Sequence, residues 1–348
     1  MQADADGRFA SLTMQKDWVQ NSNSGGGRCN FTNLYTTPAN YLSQNPHFCK
    51  SALTQYTQYD FIDWVEASGI PFHEKKLGQL FCDRKAQDII DMLFGAAKEV
   101  GVTLSFPTSV EQIDGVAASG DDEIRYTLAT TRGPMTCNSV VVATGGLSIP
   151  KAGASPFGYR IAEQFGLAVV DTRAALVPLT FQGPLLERCR ALSGLSVDAS
   201  VGYGETAFSE GLLFTHRGLS GPSILQISSY WREQNPVTIN LAPAVDLKTH
   251  LIDRKAQTPR QEVATILAEA LPRRLALDIC ESINIAGKLA DTSNRRLEQL
   301  ANQVNAWAVR PGGTEGYRTA EVTLGGVDTA ELSSKTMESR KQAGLFFI

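Results

Sequence analysis

Residues 139–146, Ser139-Val140-Val141-Val142-Ala143-Thr144-Gly145-Gly146, join a short apolar run to a pair of glycines. An apolar run without polar alternation is typical of a strand that is buried on both faces of a parallel sheet. In open α/β sheets, ligands bind beyond the carboxyl ends of the strands, where glycine lets a ligand approach the backbone closely. We therefore predict an α/β fold in which residues 143–146 line a nucleotide site. A strand–loop junction without a ligand is the alternative.

The segments around this strand alternate between helical and extended patterns. Apolar residues at helical spacing predict helices over residues 48–68 and 84–100, each closed by a glycine. Short β-favouring runs predict a meander over residues 102–143, and a further helix is expected over residues 153–166. This last helix gives the strand the crossover connection that a parallel sheet requires.

A second glycine-rich stretch, SGGGRCNFTN at residues 24–33, is a candidate wall for an anionic ligand. Glycines allow positive φ and close approach, arginine offers a forked donor, and asparagine offers an amide. A flexible turn without a ligand is the alternative. We interpret Cys29, which has no second cysteine nearby, as a packed loop residue rather than a redox group. The candidate ligand-binding residues here are Gly25, Gly26, Gly27, Arg28, Cys29 and Asn30.

Beyond residue 166 the pattern predicts two further parts of the fold. Short β-like runs punctuated by glycine predict an inserted β domain, and residues 246–309 predict a helical subdomain. Within the insert, the stretch FTHRGLSGP at residues 214–222 precedes a helical pattern, with Ser220 as the expected N-cap. His216 and Arg217 are the catalytic candidates, although no acid–base partner is visible in the sequence. The alternative is that His216 only satisfies a buried turn.

Composition and charge limit the function classes. A chain of 348 residues with 43% hydrophobic and 20% charged residues predicts two or three globular domains. The net charge of −4 gives no basic footprint, so we expect no nucleic-acid partner. The absence of a long apolar run predicts no membrane partner. Six cysteines without a C-x-x-C pair predict reduced thiols and a cytoplasmic location, and four scattered histidines predict no metal site.

Five stretches, taken together, resemble the YhiN/BaiN family of bacterial FAD-dependent oxidoreductases, some of whose members are called aminoacetone oxidase-like. Each stretch is weak evidence alone, whereas five in the same order are highly specific. The resemblance covers the chain from about residue 24 to its C-terminus. The stretches are residues 24–33, the strand at 140–146, ASPFGY at 154–159, FTHRGLSGP at 214–222 and VTLGGVDT at 322–329.

This resemblance implies an FAD-binding Rossmann-like domain of the two-dinucleotide-binding type, interrupted by a β-rich insert that carries a helical subdomain. The implied bounds are residues 24–170 with 336–348, 171–245 with 310–335, and 246–309, after a tail at 1–23. It further implies FAD as cofactor, NAD(P)H as a reductant and a small-molecule substrate. Besides the two glycine-rich stretches above, the implied cofactor-binding residues are Val110, Thr323, Gly325, Gly326 and Val327.

The chain departs from the family pattern at both ends. The family begins with a strand and a G-x-G-x-x-G turn that seats the FAD pyrophosphate, but no such turn precedes Gly25. The family pattern also continues beyond the last strand, whereas this chain stops at Ile348. We therefore expect an incomplete FAD-binding domain in a truncated chain. Two functions stay open: an FAD-dependent oxidoreductase, or a non-catalytic remnant that no longer binds FAD.

Overall fold

The computed structural model describes residues 10–12, 29–115 and 125–348. The predicted ligand-binding residues Gly25, Gly26, Gly27 and Arg28, and most of the predicted tail, lie outside the described residues. The described strands are β1 (Ala10–Leu12), β2 (Asn30–Asn33), β3 (Phe72–Glu74), β4 (Gln79–Cys82), β5 (Thr103–Ser105), β6 (Val110–Gly115), β7 (Tyr126–Thr130), β8 (Gly133–Cys137), β9 (Val140–Val142), β10 (Val169–Ala175), β11 (Leu179–Thr180), β12 (Ser196–Tyr203), β13 (Thr206–Thr215), β14 (Gly218–Ser220), β15 (Val237–Asn240), β16 (Trp307–Val309), β17 (Gly313–Thr314), β18 (Val322–Val327) and β19 (Leu345–Phe347).

The described helices are α1 (Cys49–Gln55), α2 (Gln58–Ala67), α3 (Ala86–Glu99), α4 (Phe157–Gln164), α5 (Gly183–Ala191), α6 (Pro222–Ser228), α7 (Leu247–Gln257), α8 (Val263–Leu267), α9 (Arg273–Ser282) and α10 (Asn294–Asn305). The mixture of helices with parallel and antiparallel strands confirms the predicted α/β class. Among the described residues, no helix has the length and apolar character needed to cross a membrane.

The first compact unit comprises Met1–Gly146, Pro150–Asp171 and Gly325–Ile348. It contains two parallel strand pairs, β1–β5 and β9–β19, and two antiparallel three-stranded sheets with the orders β2-β4-β3 and β6-β7-β8. Its main core joins β6, β7, β9, α4 and β19. The buried side chains of this core are Ile113, Tyr126, Leu128, Val140, Val142, Ile161, Ala162, Leu167, Leu332, Leu345 and Phe347.

A smaller core in the same unit packs α2 and α3 against the β2-β4-β3 sheet through Val65, Ile70, Cys82 and Ile89. The prediction of one helix over residues 48–68 was wrong, because the structure has two, α1 and α2. Thr57 breaks the pattern: its hydroxyl accepts the N–H of Asp60, whose carboxylate in turn accepts the N–H of Thr57 at 2.6 Å. This reciprocal cap starts a new helix at Gln58.

The second compact unit comprises Leu147–Ile149 and Thr172–Leu324. Its seven-stranded antiparallel sheet has the order β16-β15-β12-β13-β14-β11-β17. Side chains of α6 to α10 are buried in the same core as this sheet, among them Ile224, Leu251, Ile279 and Leu300. Because the β-rich insert and the helical segment share one core, they form one unit rather than two.

Two local predictions in this second unit were wrong. Gly221, with φ 91°, is the N-cap of α6, and Ser220 is the last residue of β14. The stretch beyond residue 166 was expected to be β-like, yet residues 183–191 within it form helix α5, with Pro184 in the first turn, where its missing N–H costs nothing.

Strands β10 and β18 pair with each other, and the division into units passes through both strands. Residues 325–335, which the resemblance assigned to the insert, therefore lie in the first unit. Gly325, with φ 83°, permits the close pairing because a Cβ at this position would collide with the carbonyl oxygen of Asp171. A residue with a side chain cannot take this position without moving the neighbouring strand.

Candidate functional site

Residues 143–145 lie directly beyond the carboxyl end of β9. This strand is parallel to β19, with Val140 opposite Leu345 and Val142 opposite Phe347, and its alternate side chains are buried in the core. The chain then becomes exposed at Ala143, Thr144 and Gly145. The residues of the predicted strand end are thus exposed at the edge where α/β proteins bind nucleotides. Binding of a cofactor by Ala143, Thr144, Gly145 and Gly146 stays a prediction.

Gly158 brings the start of α4 against this strand end. A Cβ at Gly158 would lie 2.7 Å from Thr144 Oγ1 and 3.1 Å from Val142 Cγ1, so only glycine fits without displacement. In dinucleotide-binding folds, one glycine has this role of allowing close packing between the helix and the strand. The family resemblance includes the stretch ASPFGY but predicts no role for Gly158. The signal was the glycine in the first turn of a helix that follows the strand.

The described part of the glycine-rich stretch is Cys29 and Asn30. Both residues form hydrogen bonds within the β2-β4-β3 sheet. The carbonyl of Cys29 accepts the N–H of Cys82 at 3.0 Å, and its side chain packs on the smaller core. Burial raises the pKa of the Cys29 thiol, which disfavours the thiolate. In the orientation of the Asn30 side chain that gives both its oxygen and its nitrogen suitable neighbours, the amide nitrogen donates to the carbonyls of Leu80 and Thr32, each at 3.1 Å. Both side chains therefore have structural partners, and their cofactor role stays a prediction.

Val110, Gly326 and Val327 lie in the first unit, whereas Thr323 lies in the second. Val110 begins β6 opposite Thr130, and Val110 and Val327 are both partly buried against the main core. Both valines thus have a packing role in this core. Their contact with a cofactor stays a prediction. Gly326 is buried within β18, beside the ring of Tyr159.

Thr323 fixes the segment that follows Gly146. Its Oγ1 accepts the N–H of Leu147 at 2.9 Å and of Ser148 at 3.1 Å, and it lies 2.9 Å from Ser148 Oγ. A single hydroxyl therefore binds two consecutive backbone donors. This contact determines where the chain runs after the glycine pair, which is a positioning role that sequence reasoning did not foresee.

His216 and Arg217 form the exposed turn between β13 and β14. Thr215 Oγ1 stabilises this turn by accepting the N–H of Arg217 at 3.3 Å and of Gly218 at 3.1 Å. The Arg217 guanidinium lies 3.8 Å from the Glu315 carboxylate. In the described part of the chain, the structure gives the His216 imidazole no hydrogen-bond partner. The catalytic prediction for His216 and Arg217 therefore stays a prediction.

A cavity of about 260 Å³ opens beside this turn, entirely within the second unit. Two guanidinium groups and one carboxylate line it, and Arg190 also pairs with Glu187 at 2.8 Å. The charges around the cavity are thus largely balanced, which favours a neutral polar ligand group over an isolated anion. The lining residues are Thr180, Phe181, Leu186, Arg190, His216, Arg217, Thr314 and Glu315.

The buried thiols have no redox or metal-binding arrangement. All six cysteines are free. Burial raises the pKa of Cys82 to about 11, of Cys189 to about 12 and of Cys280 to about 11. Across residues 10–12, 29–115 and 125–348, no three His, Cys, Asp or Glu side chains are grouped so that they could hold a metal ion. These thiols behave as small apolar core groups.

A parallel strand that ends on exposed backbone beside a glycine-packed helix is typical of dinucleotide-binding α/β proteins. Comparison with protein families assigns the chain further: residues 18–348 match the family described as HI0933-like protein Rossmann domain, and the chain belongs to this family. This membership fits the YhiN/BaiN resemblance and confirms it.

Three relatives with curated names match 93% of the chain. The chain is 53% identical over 331 residues to the ribosomal RNA dihydrouridine synthase of Escherichia coli (strain K12), covering 80% of that protein. It is 46% identical to the Haemophilus influenzae protein of the same name, covering 81% of it. A 3-dehydro-bile acid delta(4,6)-reductase from Clostridium scindens is 24% identical, with 81% covered. The predicted membership of an oxidoreductase family is therefore confirmed.

The expectation that nucleic acid is not a partner was wrong. The two relatives with 53% and 46% identity are both named for a reaction on ribosomal RNA, which conflicts with that expectation. The physical reason is that the net charge of −4 is a sum over the whole chain. A protein binds RNA through the charges and rings of one local surface, which such a sum does not describe.

Proposed function

We propose that this chain is a flavin-dependent reductase that forms dihydrouridine in ribosomal RNA. The observation that carries the proposal is the 53% identity, over 331 residues, with the Escherichia coli enzyme named ribosomal RNA dihydrouridine synthase. The second relative of that name, at 46% identity, supports the same substrate. The proposed substrate is therefore a uridine in a ribosomal RNA strand.

The proposed cofactor is FAD, with NAD(P)H as the reductant. The exposure of Ala143, Thr144 and Gly145 at the strand end suits the approach of a dinucleotide, and Gly158 allows the close packing of α4 on that strand end that such folds use. FAD supplies hydride chemistry, through which the C5–C6 double bond of uracil gains a hydride and a proton while NAD(P)H is oxidised to NAD(P)⁺.

The protein groups around such a site position the reactants. In this proposal, the backbone of residues 143–145, in the first unit, holds the cofactor. Hydride chemistry of this kind needs no protein nucleophile, which agrees with the raised pKa values of the thiols. We further propose a cytoplasmic location, where free cysteines persist and ribosomal RNA is present.

The test is performed with the purified full chain. Flavin absorbance that co-elutes with the protein in a near-stoichiometric ratio supports FAD binding. The loaded protein is then incubated with NADPH and ribosomal RNA from a strain that lacks the homologous enzyme. After nuclease digestion, mass spectrometry detects dihydrouridine as a uridine that has gained two hydrogens.

Two results would refute the proposal in different ways. A colourless protein that gains no thermal stability with added FAD supports the non-catalytic alternative. A flavin-loaded protein that oxidises NADPH but leaves every uridine unreduced would retain the oxidoreductase chemistry and exclude ribosomal RNA as the substrate.

A further inference from the structure

The hairpin loop between β3 and β4, residues 75–78, and Tyr35 together form an exposed aromatic and basic surface in the first unit. We call it the Tyr35 surface; its exposed members are Tyr35, Lys75, Lys76 and Leu77, and Gly78 of the same loop is buried against the Tyr35 ring. Tyr35 is 66% exposed and Leu77 is 60% exposed. The ring edge of Tyr35 lies against Gly78, where an added Cβ would be 2.7 Å from Tyr35 Cδ2. Residues that are distant in sequence thus meet at one surface.

Four hydrogen bonds, made by Asn33, Leu34 and Glu74, hold Tyr35 and the loop in place. Asn33 Nδ2 donates to the carbonyl of Leu77 at 3.0 Å, and Asn33 Oδ1 accepts the N–H of Tyr35 at 2.8 Å. The N–H of Leu34 donates to the carbonyl of Gly78 at 2.9 Å, and the N–H of Gly78 donates to Glu74 Oε1 at 3.0 Å. One asparagine therefore holds both the tyrosine and the loop, so the surface is preorganised.

The β2 strand behind this surface is itself anchored to the smaller core. The ring of Phe31 lies 5.2 Å from that of Phe72 and 6.0 Å from that of Phe61, both at edge-on angles. Gln58 Nε2 also donates to the carbonyl of Leu34 at 3.1 Å. Tyr35 thus extends from a rigid base, which lowers the entropy cost of binding a ligand.

Leu77 carries two local costs. Its φ of 52° lies in the left-handed region, which is unfavourable for a bulky residue, and its apolar side chain is largely exposed. The positive φ is that of a type I′ hairpin turn, whose second central residue is Gly78 at φ 76°. The turn therefore places an exposed apolar side chain at its tip, where a ligand can contact it.

The charges on this loop favour a phosphate-containing ligand. Lys75 and Lys76 are exposed, and Lys75 Nζ lies 5.0 Å from the centre of the Phe81 ring, which keeps its ammonium close to the loop. Glu74 is the neighbouring acid, and its carboxylate accepts the N–H of Gly78. Lysines beside an exposed aromatic ring match the chemistry of single-stranded RNA, in which phosphates alternate with stacking bases.

We propose that the Tyr35 surface binds a single-stranded segment of the RNA substrate, with a base stacked on Tyr35 and with Lys75 and Lys76 facing its phosphates. This inference rests on the proposed function for the identity of the substrate. It adds the surface and the binding mode, neither of which the relatives' names describe. A protein partner is the competing occupant. Protein partners favour larger, mainly apolar patches, whereas an exposed tyrosine beside lysines suits a nucleotide, which offers a base for stacking and a phosphate for the ammonium groups.

The experiment measures binding of a fluorescein-labelled, unstructured RNA of about 12 nucleotides, close to the length that one single-strand binding fold covers, to the full chain by fluorescence anisotropy. A duplex of the same length serves for comparison. Tyr35→Leu removes the ring and keeps an apolar side chain, whereas Tyr35→Phe keeps the ring. The matched control is Tyr59→Leu, because Tyr59 on α2 is 57% exposed and outside the Tyr35 surface. Circular dichroism and melting curves establish that each variant is folded.

We expect Tyr35→Leu to weaken single-strand binding by about 5- to 100-fold, as loss of one stacked base does, and Tyr35→Phe to bind as the wild type does. Replacing Lys75 and Lys76 by glutamine should make the binding less sensitive to salt. The slope of the logarithm of the binding constant against the logarithm of the salt concentration should become shallower by about 0.7 for each phosphate that is no longer neutralised. Unchanged binding in Tyr35→Leu would overturn the inference. A similar weakening in Tyr59→Leu would overturn it as well, since the effect would then not be specific to this surface.

Failure of the inference and failure of the proposed function give different results. If Tyr35 is needed for RNA binding but the flavin-loaded protein forms no dihydrouridine, the binding surface stands and the proposed reaction falls. If dihydrouridine forms with the same KM in Tyr35→Leu as in the wild type, the reaction stands and the Tyr35 surface is refuted.

Discussion

Replacing Gly158 by alanine tests the contact between α4 and the end of β9. The added Cβ would lie 2.7 Å from Thr144 Oγ1 and 3.1 Å from Val142 Cγ1. Overpacking of this kind costs about 1–3 kcal/mol, while alanine in place of glycine in a helix gains about 0.5–1 kcal/mol. We therefore expect a net loss of about 0.5–2 kcal/mol in the free energy of unfolding of the first unit.

Urea unfolding followed by circular dichroism measures this loss. With a slope of about 2–3 kcal/mol per molar urea, the midpoint of the transition should fall by about 0.2–1 M. The matched control is Gly95→Ala in α3, because a Cβ there meets no atom within 4 Å. This control should gain about 0.5–1 kcal/mol from the helix alone.

The double variant Gly158→Ala with Thr144→Ala separates the two contacts. Removing Thr144 Oγ1 relieves the contact at 2.7 Å and leaves only the one at 3.1 Å with Val142, so part of the stability should return. The reasoning is refuted if Gly158→Ala raises the midpoint as Gly95→Ala does. That result would show that α4 and the strand end move apart at no cost.

Three further predictions concern other contacts. Arg173 donates to the carbonyls of Ser228, Ser229 and Trp231 at the end of α6, so Arg173→Leu should cost about 1–3 kcal/mol in urea unfolding; an unchanged midpoint would contradict this. Arg188 forms an ion pair with Asp278 at 2.6 Å and lies over Trp307, so Arg188→Lys should lose most of the stability that Arg188→Ala loses, as measured in the same assay. Hydrogen bonds from the Thr57 side chain and backbone lower the pKa of the Asp60 carboxyl below its ordinary 3.8. The stability that this cap contributes is therefore present above pH 3.8 and is lost as the pH falls through the lower pKa that Asp60 has in the folded protein. Acid titration of Asp60→Asn, followed by circular dichroism, should lack that part of the transition.

The sequence predicted elements whose signals are local. Three valines followed by a glycine pair identified β9 and its exposed end, and the apolar stripe identified α3 within two residues of its bounds. The break between α1 and α2 was also readable, since Thr57 and Asp60 have the spacing of a capping pair. It was missed because the apolar spacing continues through the break.

The candidate site was predicted less well, because its contacts join residues that are distant in sequence. Gly158 acquires its role only from the approach of Thr144, and Thr323 only from the two N–H groups after Gly146. Tyr35 and Leu77 become one surface through Asn33. The glycine in the first turn of α4 was a sequence signal for the Gly158 contact, whereas no periodicity or spacing indicates the contacts of Thr323 and Asn33 in a single sequence.

The expectation that nucleic acid is not a partner was wrong because net charge, like periodicity, does not describe a local surface. The Tyr35 surface allows this explanation to be tested by the salt dependence of RNA binding. Charges beyond about 10 Å are screened at physiological salt, so a phosphate near Lys75 and Lys76 is affected by those lysines and by Glu74 rather than by the net charge. Stacking on Tyr35 involves no net charge at all, so salt screens it little. We therefore expect Tyr35→Leu to lose the same factor in RNA affinity at high salt as at low salt. The lysine variants should lose affinity mainly at low salt, and a loss in Tyr35→Leu that disappears at high salt would contradict the stacking role.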